Sequence, residues 1–427
     1  MRIQGISCTE LAERFGTPLY VYDGDVLLER LSELSNALHP ALEIFFSLKS
    51  NPNVSVFKTL HSGGARAEVC SLLELRTALL GGAEPGDVIF LGPGKSDQEL
   101  EACLQTGVYA IVAESFDEVD RIEHLAAERG IRQRVLLRIN PAHLVSGSRL
   151  TMGGKPRQFG IDEDQVLAAG DLTARYRYAQ LAGVHVYMGT RILDAEVVGK
   201  NTRYVLELAD RVAAVTGIPL EAVDIGGGLG VAYFEGEEDL SAASVAKEIN
   251  PLVEEFARSH PGTRLMLESG RYLTALAGVY VVSVRYVKES MGESFAVADG
   301  GTNHHMAAVG IGSFAKRNFP VQLLNRETAG DELRRWNVTG PLCTPNDTLL
   351  KRAALPPLRV GDLLGITRSG AYGPSASPGM FLGHGFPAEV LVRDGEAHLV
   401  RSRDLPEDLL RNQHLYGSAA SPASAKE

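Results

Sequence analysis

Residues 66–91 read RAEVCSLLELRTALLGGAEPGDVIFL, and this stretch shows the pattern that predicts the fold. Two short β-rich runs, Arg66–Val69 and Val88–Leu91, flank Leu72–Leu80, which has the amphipathic spacing of a helix. A strand, a helix and a second strand in this order are typical of a parallel βαβ unit.

The same alternation extends in both directions, from about residue 25 to residue 275, with further helical patterns at Ser115–Arg129 and Thr202–Thr216. Eight strands that alternate with helices over roughly 250 residues fit a (β/α)8 barrel better than an open doubly wound sheet. The predicted strands are Glu43–Ser47, Arg66–Val69, Val88–Leu91, Tyr109–Ala113, Arg134–Ile139, Ala182–Val186, Ala222–Ile225 and Arg264–Glu268.

Beyond residue 275 the helical periodicity fades, and β-rich runs are separated by Gly, Pro and Asp. We therefore predict a barrel over residues 25–275 and a β domain formed by residues 276–416 together with residues 1–24. Residues 417–427 are small and polar, which predicts a disordered tail. The β-rich runs are Val279–Val287, Ser294–Ala298, Arg335–Thr339, Leu363–Thr367 and Ala388–Val392.

The composition limits the kinds of partner. The chain has 427 residues, of which 44% are hydrophobic and 22% charged, and its formal net charge is −11. This charge argues against nucleic acid or an anionic membrane as a general partner. No apolar run is long enough to span a bilayer and no signal-peptide core follows Met1, so we expect a cytoplasmic protein.

The cysteines and histidines predict no metal site. The four cysteines lie far apart, at Cys8, Cys70, Cys103 and Cys343. No pair has Cys-x-x-Cys spacing, which argues against a zinc site or a disulfide framework. Except for Cys343, which lies in a turn-rich segment, we expect them to be small hydrophobes. The adjacent His304 and His305 would point to opposite faces of a strand, so we interpret them as loop histidines.

Lys49 is the first residue with the character of a catalytic group. It follows the apolar run Ile44–Leu48 and precedes Ser50–Asn53, as expected for a residue at the end of a barrel strand. A lysine beside apolar walls has a lowered pKa and can form a Schiff base with a carbonyl group. A surface cap at the strand end is the alternative for this residue taken alone.

Two later strand ends carry groups suited to an anion. Gly226, Gly227 and Gly228 follow Asp224-Ile225, and consecutive glycines after a strand let backbone N–H groups approach a phosphate closely. Glu268 and Arg271 follow another β-rich run, three residues apart. A tight glycine turn and a structural ion pair are the alternatives at these two places.

Taken in order, these motifs resemble the family of diaminopimelate, ornithine and arginine decarboxylases, pyridoxal-phosphate (PLP) enzymes with an alanine-racemase-like fold. The resemblance covers nearly the whole chain. It is carried by Tyr20–Asp23, Phe46–Asn51, Glu68–Leu75, Phe90–Lys95, Leu137–Asn140, Gln158–Ile161, His185–Tyr187, Asp224–Gly230, Glu268–Arg271, Gly340–Cys343 and Gly370–Gly373.

The resemblance implies a PLP-binding TIM barrel, a C-terminal β domain and a homodimer with shared active sites. It implies that Lys49 is the Schiff-base lysine, that Glu268 pairs with the pyridine nitrogen, and that His185 stacks on the ring. Cys343 matches the residue that the second subunit supplies to protonate the product carbanion. The remaining implied cofactor contacts are Glu68, Glu74, Arg138, the phosphate-binding Gly226, Gly227, Gly228 and Arg271, and Tyr372.

Glu268 favours decarboxylation over racemisation. Loss of CO2 from an amino acid leaves a carbanion, and a pyridine that a carboxylate keeps protonated is a strong electron sink. Racemases of the same barrel type place an arginine at this position.

Three departures from the family pattern bear on the substrate. Diamino-acid decarboxylases usually follow the cysteine with an acidic residue that holds the distal amine, whereas Thr344 follows Cys343 here. The usual serine after the His185 strand is absent near Met188, where Thr190 or backbone groups are the candidate replacements for its phosphate contact. Ser375–Pro387 lacks the usual arginine and asparagine.

The combination of Cys-Thr-Pro-x-Asp at Cys343–Asp347 with Tyr-x-Gly-Thr at Tyr187–Thr190 resembles a smaller branch of the family, which includes glutamyl-carrier-protein decarboxylases of aminoglycoside side-chain pathways. We therefore predict decarboxylation of a glutamyl-like group tethered to an acyl carrier protein, with Thr344 and Asp347 as substrate-binding residues. A neutral thioester at the distal end would need no acidic partner. The alternatives are a decarboxylase of a free amino acid such as diaminopimelate, a PLP racemase, and a non-catalytic regulatory homologue.

Overall fold

The computed structural model describes residues 1–142, 150–151, 156–309, 317–327 and 332–416, so the predicted tail at 417–427 lies outside the described residues. The strands are β1 Arg2–Ile3, β2 Ile6–Ser7, β3 Leu19–Asp23, β4 Leu42–Ser47, β5 Arg66–Val69, β6 Val88–Phe90, β7 Ala110–Ala113, β8 Gln133–Asn140, β9 Leu150–Thr151, β10 Ile161–Asp162, β11 Ala179–His185, β12 Gly189–Thr190, β13 Ala222–Asp224, β14 Arg264–Ser269, β15 Gly278–Ser290, β16 Glu293–Ala298, β17 Val321–Leu323, β18 Arg334–Thr339, β19 Thr348–Leu355, β20 Leu363–Thr367, β21 Ala388–Arg393 and β22 Glu396–Arg401.

The α-helices are α1 Cys8–Phe15, α2 Gly24–Ala37, α3 Val54–Ser62, α4 Leu72–Leu80, α5 Asp97–Thr106, α6 Phe116–Arg129, α7 Glu163–Ala168, α8 Ala195–Thr216, α9 Ala242–Ser259, α10 Arg271–Thr274 and α11 Pro406–Leu410. Several begin where the sequence offers a cap: the Ser71 side chain accepts from the Glu74 N–H at the start of α4, and Ser115 does the same for Glu118 in α6. Among the described residues, no helix combines the length and apolar character needed to cross a bilayer.

The predicted TIM barrel is confirmed. Strands β4, β5, β6, β7, β8, β11, β13 and β14 pair in parallel in that order, and β14 pairs with β4 to close the circle. All eight predicted runs overlap these strands. The closing register places Glu268 of β14 beside Phe45 of β4, four residues before Lys49.

The barrel interior follows from the two-residue period of its strands. Phe45 points into a buried cluster of strand side chains, whereas its neighbours Ile44 and Phe46 pack in the cluster that includes the surrounding helices. The interior cluster consists of Phe45, Ile89, Leu91, Ala110, Val112, Leu136, Ala182, Ala222 and Met266. Truncation of one of its large side chains, such as Phe45→Ala, would cost about 3–5 kcal/mol of the free energy of unfolding.

A separate β-rich domain follows the barrel, as predicted. The 13-residue strand β15 pairs antiparallel with β3, β16 and β20. The early strand β3 lies between β15 and β21, because it also pairs in parallel with β21. The loop after β20 carries Tyr372 back toward the barrel, where the Tyr372 N–H donates to the Ser50 carbonyl at 2.7 Å.

Candidate active site

A cavity of about 420 Å³ lies where the barrel strands end at their carboxyl termini. Active sites of TIM barrels lie on this face, because the loops that follow the strands meet there. The charged and aromatic lining residues include six of the predicted site residues. The lining consists of Lys49, Cys70, Leu91, Gly92, Pro93, Arg138, Phe159, His185, Tyr187, Thr190, Glu268, Arg271 and Tyr372.

A second cavity, of about 440 Å³, lies behind the loop that follows Lys49. Its buried acid, Glu389, accepts hydrogen bonds from the Tyr22 hydroxyl at 2.9 Å and from the Asn53 side-chain amide at 3.1 Å. The acidic and basic groups that match the predicted chemistry line the first cavity instead, so the first cavity is the candidate active site.

Lys49 sits in the turn after β4, with its ammonium group between two carboxylates. Its Nζ donates to Glu68 Oε1 at 2.9 Å and lies 3.9 Å from Glu268 Oε2. Burial lowers the pKa of Lys49, but Glu68, Cys70 and Glu268 outweigh burial and hold the pKa well above its ordinary value. The expectation that apolar walls lower this pKa is therefore wrong, because the carboxylates of β5 and β14 face the amine.

Glu268 and His185 form a buried pair at the floor of the cavity. His185 Nε2 donates to Glu268 Oε1 at 2.9 Å, and both side chains are almost fully buried. Burial raises the pKa of Glu268, but Lys49 and His185 outweigh it and lower the pKa to about 2. Among the described residues, neither Glu268 Oε2 nor His185 Nδ1 has a hydrogen-bond partner. The pair thus presents an ionised carboxylate with a free oxygen.

The glycine loop packs so closely that side chains are excluded from it. A Cβ on Gly227 would lie 2.0 Å from the Glu268 carbonyl oxygen, and one on Gly228 would lie 2.0 Å from the Gly189 carbonyl oxygen. Gly226 and Gly228 also have φ values of 68° and 95°, which favour glycine. The loop therefore offers bare backbone, as the sequence predicted for an anion site.

Arg271 and Tyr372 lie beside this loop, in a narrow extension of the cavity that Gly228 also lines. The Arg271 guanidinium lies 4.6 Å from the centre of the Tyr372 ring, and its Nη1 donates to the Tyr233 hydroxyl at 3.0 Å. Its buried Nε has no hydrogen-bond partner among the described residues. This corner therefore combines a buried positive charge with bare backbone, which suits a phosphate.

Arg138 is clamped at the opposite wall. Its Nη1 donates to Glu114 Oε1 at 2.6 Å, and its guanidinium lies 4.8 Å from the centre of the Phe159 ring. Glu114 Oε2 also accepts from the Gly160 N–H at 2.7 Å, so one buried carboxylate fixes both the arginine and the loop that carries Phe159. Sequence reasoning missed Glu114, because its partners lie 24 and 46 residues away.

Glu74 supports the wall of the cavity without lining it. Its Oε2 accepts from the Cys70 N–H at 2.7 Å. Burial, with a smaller contribution from the Glu68 charge, raises the pKa of Glu74 to about 7.

Cys70 differs from its prediction as a plain hydrophobe. It lines the cavity, and its thiol donates to Glu68 Oε1 at 3.1 Å, the same oxygen that accepts from Lys49. One signal in the sequence pointed to this, since Cys70 lies two residues after Glu68 and alternate strand residues share a face.

The Cys343 segment does not reach the cavity of its own chain. Cys343 is exposed, and neither it nor Thr344 is among the lining residues. Asp347 is buried: Oδ2 accepts from the Leu342 N–H at 2.7 Å, and Oδ1 accepts from the N–H and hydroxyl of Thr302 at 2.8 and 3.0 Å. This geometry makes Asp347 the brace of the loop and gives no support to its predicted contact with substrate.

The sequence of this chain is similar to those of known pyridoxal-dependent decarboxylases. Residues 25–275 match the model of the pyridoxal binding domain of pyridoxal-dependent decarboxylases. The L-glutamyl-[BtrI acyl-carrier protein] decarboxylase of Niallia circulans is 38% identical over 416 residues, which cover 97% of both chains. The diaminopimelate decarboxylase of Methanothermobacter thermautotrophicus is 31% identical over 424 residues, covering 97% of this chain and 95% of the relative.

Among solved structures, diaminopimelate decarboxylase of Helicobacter pylori, complexed with L-lysine, superposes with a TM-score of 0.84. The two chains are 29% identical, and the match covers 94% of this chain and 98% of the other. The likeness therefore extends over both the barrel and the β domain.

Proposed function

The chain belongs to the family of pyridoxal-dependent decarboxylases, and we propose that its substrate is a glutamyl-like group carried by an acyl carrier protein. It is a PLP-dependent carboxy-lyase, and the reaction removes the α-carboxylate as CO2. The carrier would hold the other end of the substrate as a neutral thioester.

The observation that carries this proposal is that the acid which follows Cys343 in the sequence is already engaged within its own loop. Asp347, the first acidic residue after Cys343, is buried and already accepts three hydrogen bonds from Leu342 and Thr302. Of the residues that line the cavity in the described part of the chain, only Glu268 is acidic, and it is bonded to His185. A diamino acid would need a further carboxylate for its distal ammonium, whereas a thioester would not.

The residues fit PLP. The orphaned Glu268 Oε2 and Arg271 Nε are buried polar atoms that a bound group would satisfy, and the glycine loop leaves the space that a Cβ would fill. With PLP bound, Glu268 would hold the pyridine nitrogen, Lys49 would hold the aldehyde carbon, and His185 would pack against the ring. Gly226, Gly227, Gly228, Arg271 and Tyr372 would hold the phosphate. PLP supplies the electron sink for the carbanion that decarboxylation leaves.

The side chains around the cavity would have separate roles in the decarboxylation. Glu268, with a pKa of about 2, stays ionised at neutral pH and would favour a proton on the pyridine nitrogen of bound PLP. Glu68 orients the Lys49 amine through the 2.9 Å hydrogen bond and keeps it charged while it is free. The clamp between Arg138 and Glu114 fixes the wall of the cavity beside Phe159.

A homodimer would complete the site. Cys343 is exposed on a loop that Asp347 braces, and it does not line its own chain's cavity. We propose that this loop enters the cavity of a second copy, where Cys343 donates a proton to the product carbon and Thr344 lies near the distal end of the substrate. The barrel of one chain and the β domain of the other would then share each site.

Intact mass spectrometry of a glutamyl-loaded carrier protein, before and after incubation with enzyme and PLP, tests the substrate. Free glutamate and free diaminopimelate serve as parallel substrates. We expect the loaded carrier to lose the mass of one CO2 while both free amino acids remain. Loss of CO2 from diaminopimelate alone would overturn the proposal and favour the second candidate, a free diamino-acid decarboxylase, which the similarity to diaminopimelate decarboxylases supports.

A further inference from the structure

We propose that Asp224 is a positioning residue that carries a proton and ties the glycine loop to the Glu268–His185 pair. Asp224 is the last residue of β13, which lies between β11 and β14. Its backbone pairs with His185 on one side and with Met266 on the other. The three side chains of Asp224, His185 and Glu268 each bring one nitrogen or oxygen within 4.8 Å of the other two.

The contacts of Asp224 reach Glu268 through Gly226. Its Oδ1 accepts from the Gly226 N–H at 2.8 Å, and the Gly226 carbonyl in turn accepts from the Glu268 N–H at 2.8 Å. A Cβ on Gly226 would lie 2.4 Å from the Val186 carbonyl oxygen, so this glycine has little room to shift. The position of Asp224 therefore sets the start of the glycine loop relative to the strand that carries Glu268.

The surroundings of the other carboxyl oxygen, Oδ2, bear on whether Asp224 is ionised. Oδ2 is buried and has no hydrogen-bond partner among the described residues. Two ionised carboxylates in one buried cluster repel each other and lose their hydration. Lys49 and His185 favour the ionised form of Glu268, whereas burial first, and then the Glu268 charge, raise the pKa of Asp224 well above its ordinary value.

Asp224 thus keeps its proton while Glu268 remains ionised. A neutral Asp224 has one oxygen that accepts from the Gly226 N–H and a second oxygen that carries the proton and places no further negative charge in the cluster. The inference does not depend on the substrate, since it concerns only how this chain arranges the residues that face the cofactor.

Three holoenzymes test the inference: Asp224→Asn, Asp224→Ala and the control Asp362→Asn. Asparagine keeps an oxygen for the Gly226 N–H and a neutral donor, whereas alanine supplies neither. Asp362 is a buried acid of the β domain whose carboxylate bonds to Arg326, so it controls for the loss of a buried acid elsewhere. The measurements are the Kd for PLP, the pH midpoint of the visible absorbance of the bound cofactor, and the Tm of each holoenzyme.

We expect Asp224→Asn to stay within about threefold of the wild type in Kd for PLP, and Asp224→Ala to weaken PLP by about tenfold or more. The pH midpoint should move in the alanine variant alone. A merely structural role would lower the Tm of Asp224→Ala, as in the control, without moving the midpoint. Asparagine as harmful as alanine, or alanine equal to the wild type, would overturn the inference.

Infrared spectroscopy tests directly whether Asp224 is protonated, and this test does not depend on a variant that has lost activity. The difference spectrum between the wild-type and Asp224→Asn holoenzymes should contain the carbonyl band of a protonated carboxylic acid. A carboxylate band in its place would contradict the inference. Because no substrate is used, failure here leaves the carrier-bound substrate untouched, and failure of the carrier experiment leaves the role of Asp224 untouched.

Discussion

The barrel and the β domain contribute to the cavity in different ways. The barrel residues Lys49, His185 and Glu268 lie at strand ends, where the parallel ladder holds them against one another. The β domain contributes Tyr372 to the same cavity, but its Cys343 is exposed and is not among the residues that line the cavity. This difference supports the proposal that one chain builds the cofactor half of the site and that a second copy completes the substrate half.

Among the substitutions in the barrel half of the site, loss of the Lys49 side chain should lower turnover the most. In Lys49→Ala the cofactor loses its covalent anchor, so we expect turnover to fall by at least roughly 10³-fold and the visible absorbance of the bound cofactor to disappear. The exposed Lys58→Ala serves as the control and should behave as the wild type in both measurements. Turnover in Lys49→Ala close to that of the control would remove Lys49 from the active site.

Neutralisation of Glu268 should have the next largest effect. Glu268→Gln keeps the shape of the side chain but cannot hold a proton on the facing nitrogen by charge, so kcat should fall roughly 10²- to 10³-fold. The Kd for PLP should change little, because the phosphate contacts remain. A large loss of PLP affinity with unchanged kcat in the residual holoenzyme would assign Glu268 to binding instead.

Substitution of Cys343 tests whether the two halves of the active site come from different chains. We expect Cys343→Ala to lower kcat by roughly 10²-fold, because proton donation by a positioned group contributes about this much. Equal amounts of Cys343→Ala and Lys49→Ala subunits, unfolded and refolded together, should recover about a quarter of wild-type activity, since half of the dimers then contain one intact site. No recovery, with mixed dimers confirmed by native mass spectrometry, would place Cys343 and Lys49 in the same chain's site.

Substitution of Glu74 should have the smallest effect, and that effect should be on the free energy of unfolding. Its pKa rises from an ordinary 4.5 to about 7 in the folded protein, so the folded state binds a proton that the unfolded state has already lost. The contribution of Glu74 is present below about pH 4.5 and is lost as the pH rises through 7. Since Glu74 is partly exposed, we expect the free energy of unfolding to fall by only about 1–2 kcal/mol more in the wild type than in Glu74→Gln over this range. Parallel curves for the two proteins in chemical denaturation would contradict this.

Sequence reasoning located the barrel half well because strand periodicity and the order of motifs are local signals. The strand that precedes Lys49 and the strands that carry His185 and Glu268 overlap their predicted ranges, and the glycine loop has the bare backbone that three consecutive glycines suggest.

What the sequence could not show are contacts between strands far apart in the chain. The pKa of Lys49 shifts opposite to the prediction because Glu68 and Glu268, which lie 19 and 219 residues later, face its amine. Nothing in the spacing of the Cys343 segment indicates that the Asp347 carboxylate is buried against Leu342 and Thr302, and its contact with substrate stays a prediction. Charge and burial at these places depend on tertiary pairing, which spacing does not reveal.

The most direct test of the central claim is to locate the cofactor on the chain. The holoenzyme would be reduced with borohydride, digested and mapped by mass spectrometry. We predict that the pyridoxyl group is found on the peptide that contains Lys49 and on no other. A pyridoxyl group on a different lysine, or a reduced holoenzyme without a modified peptide, would contradict the assignment of the barrel cavity as the PLP site.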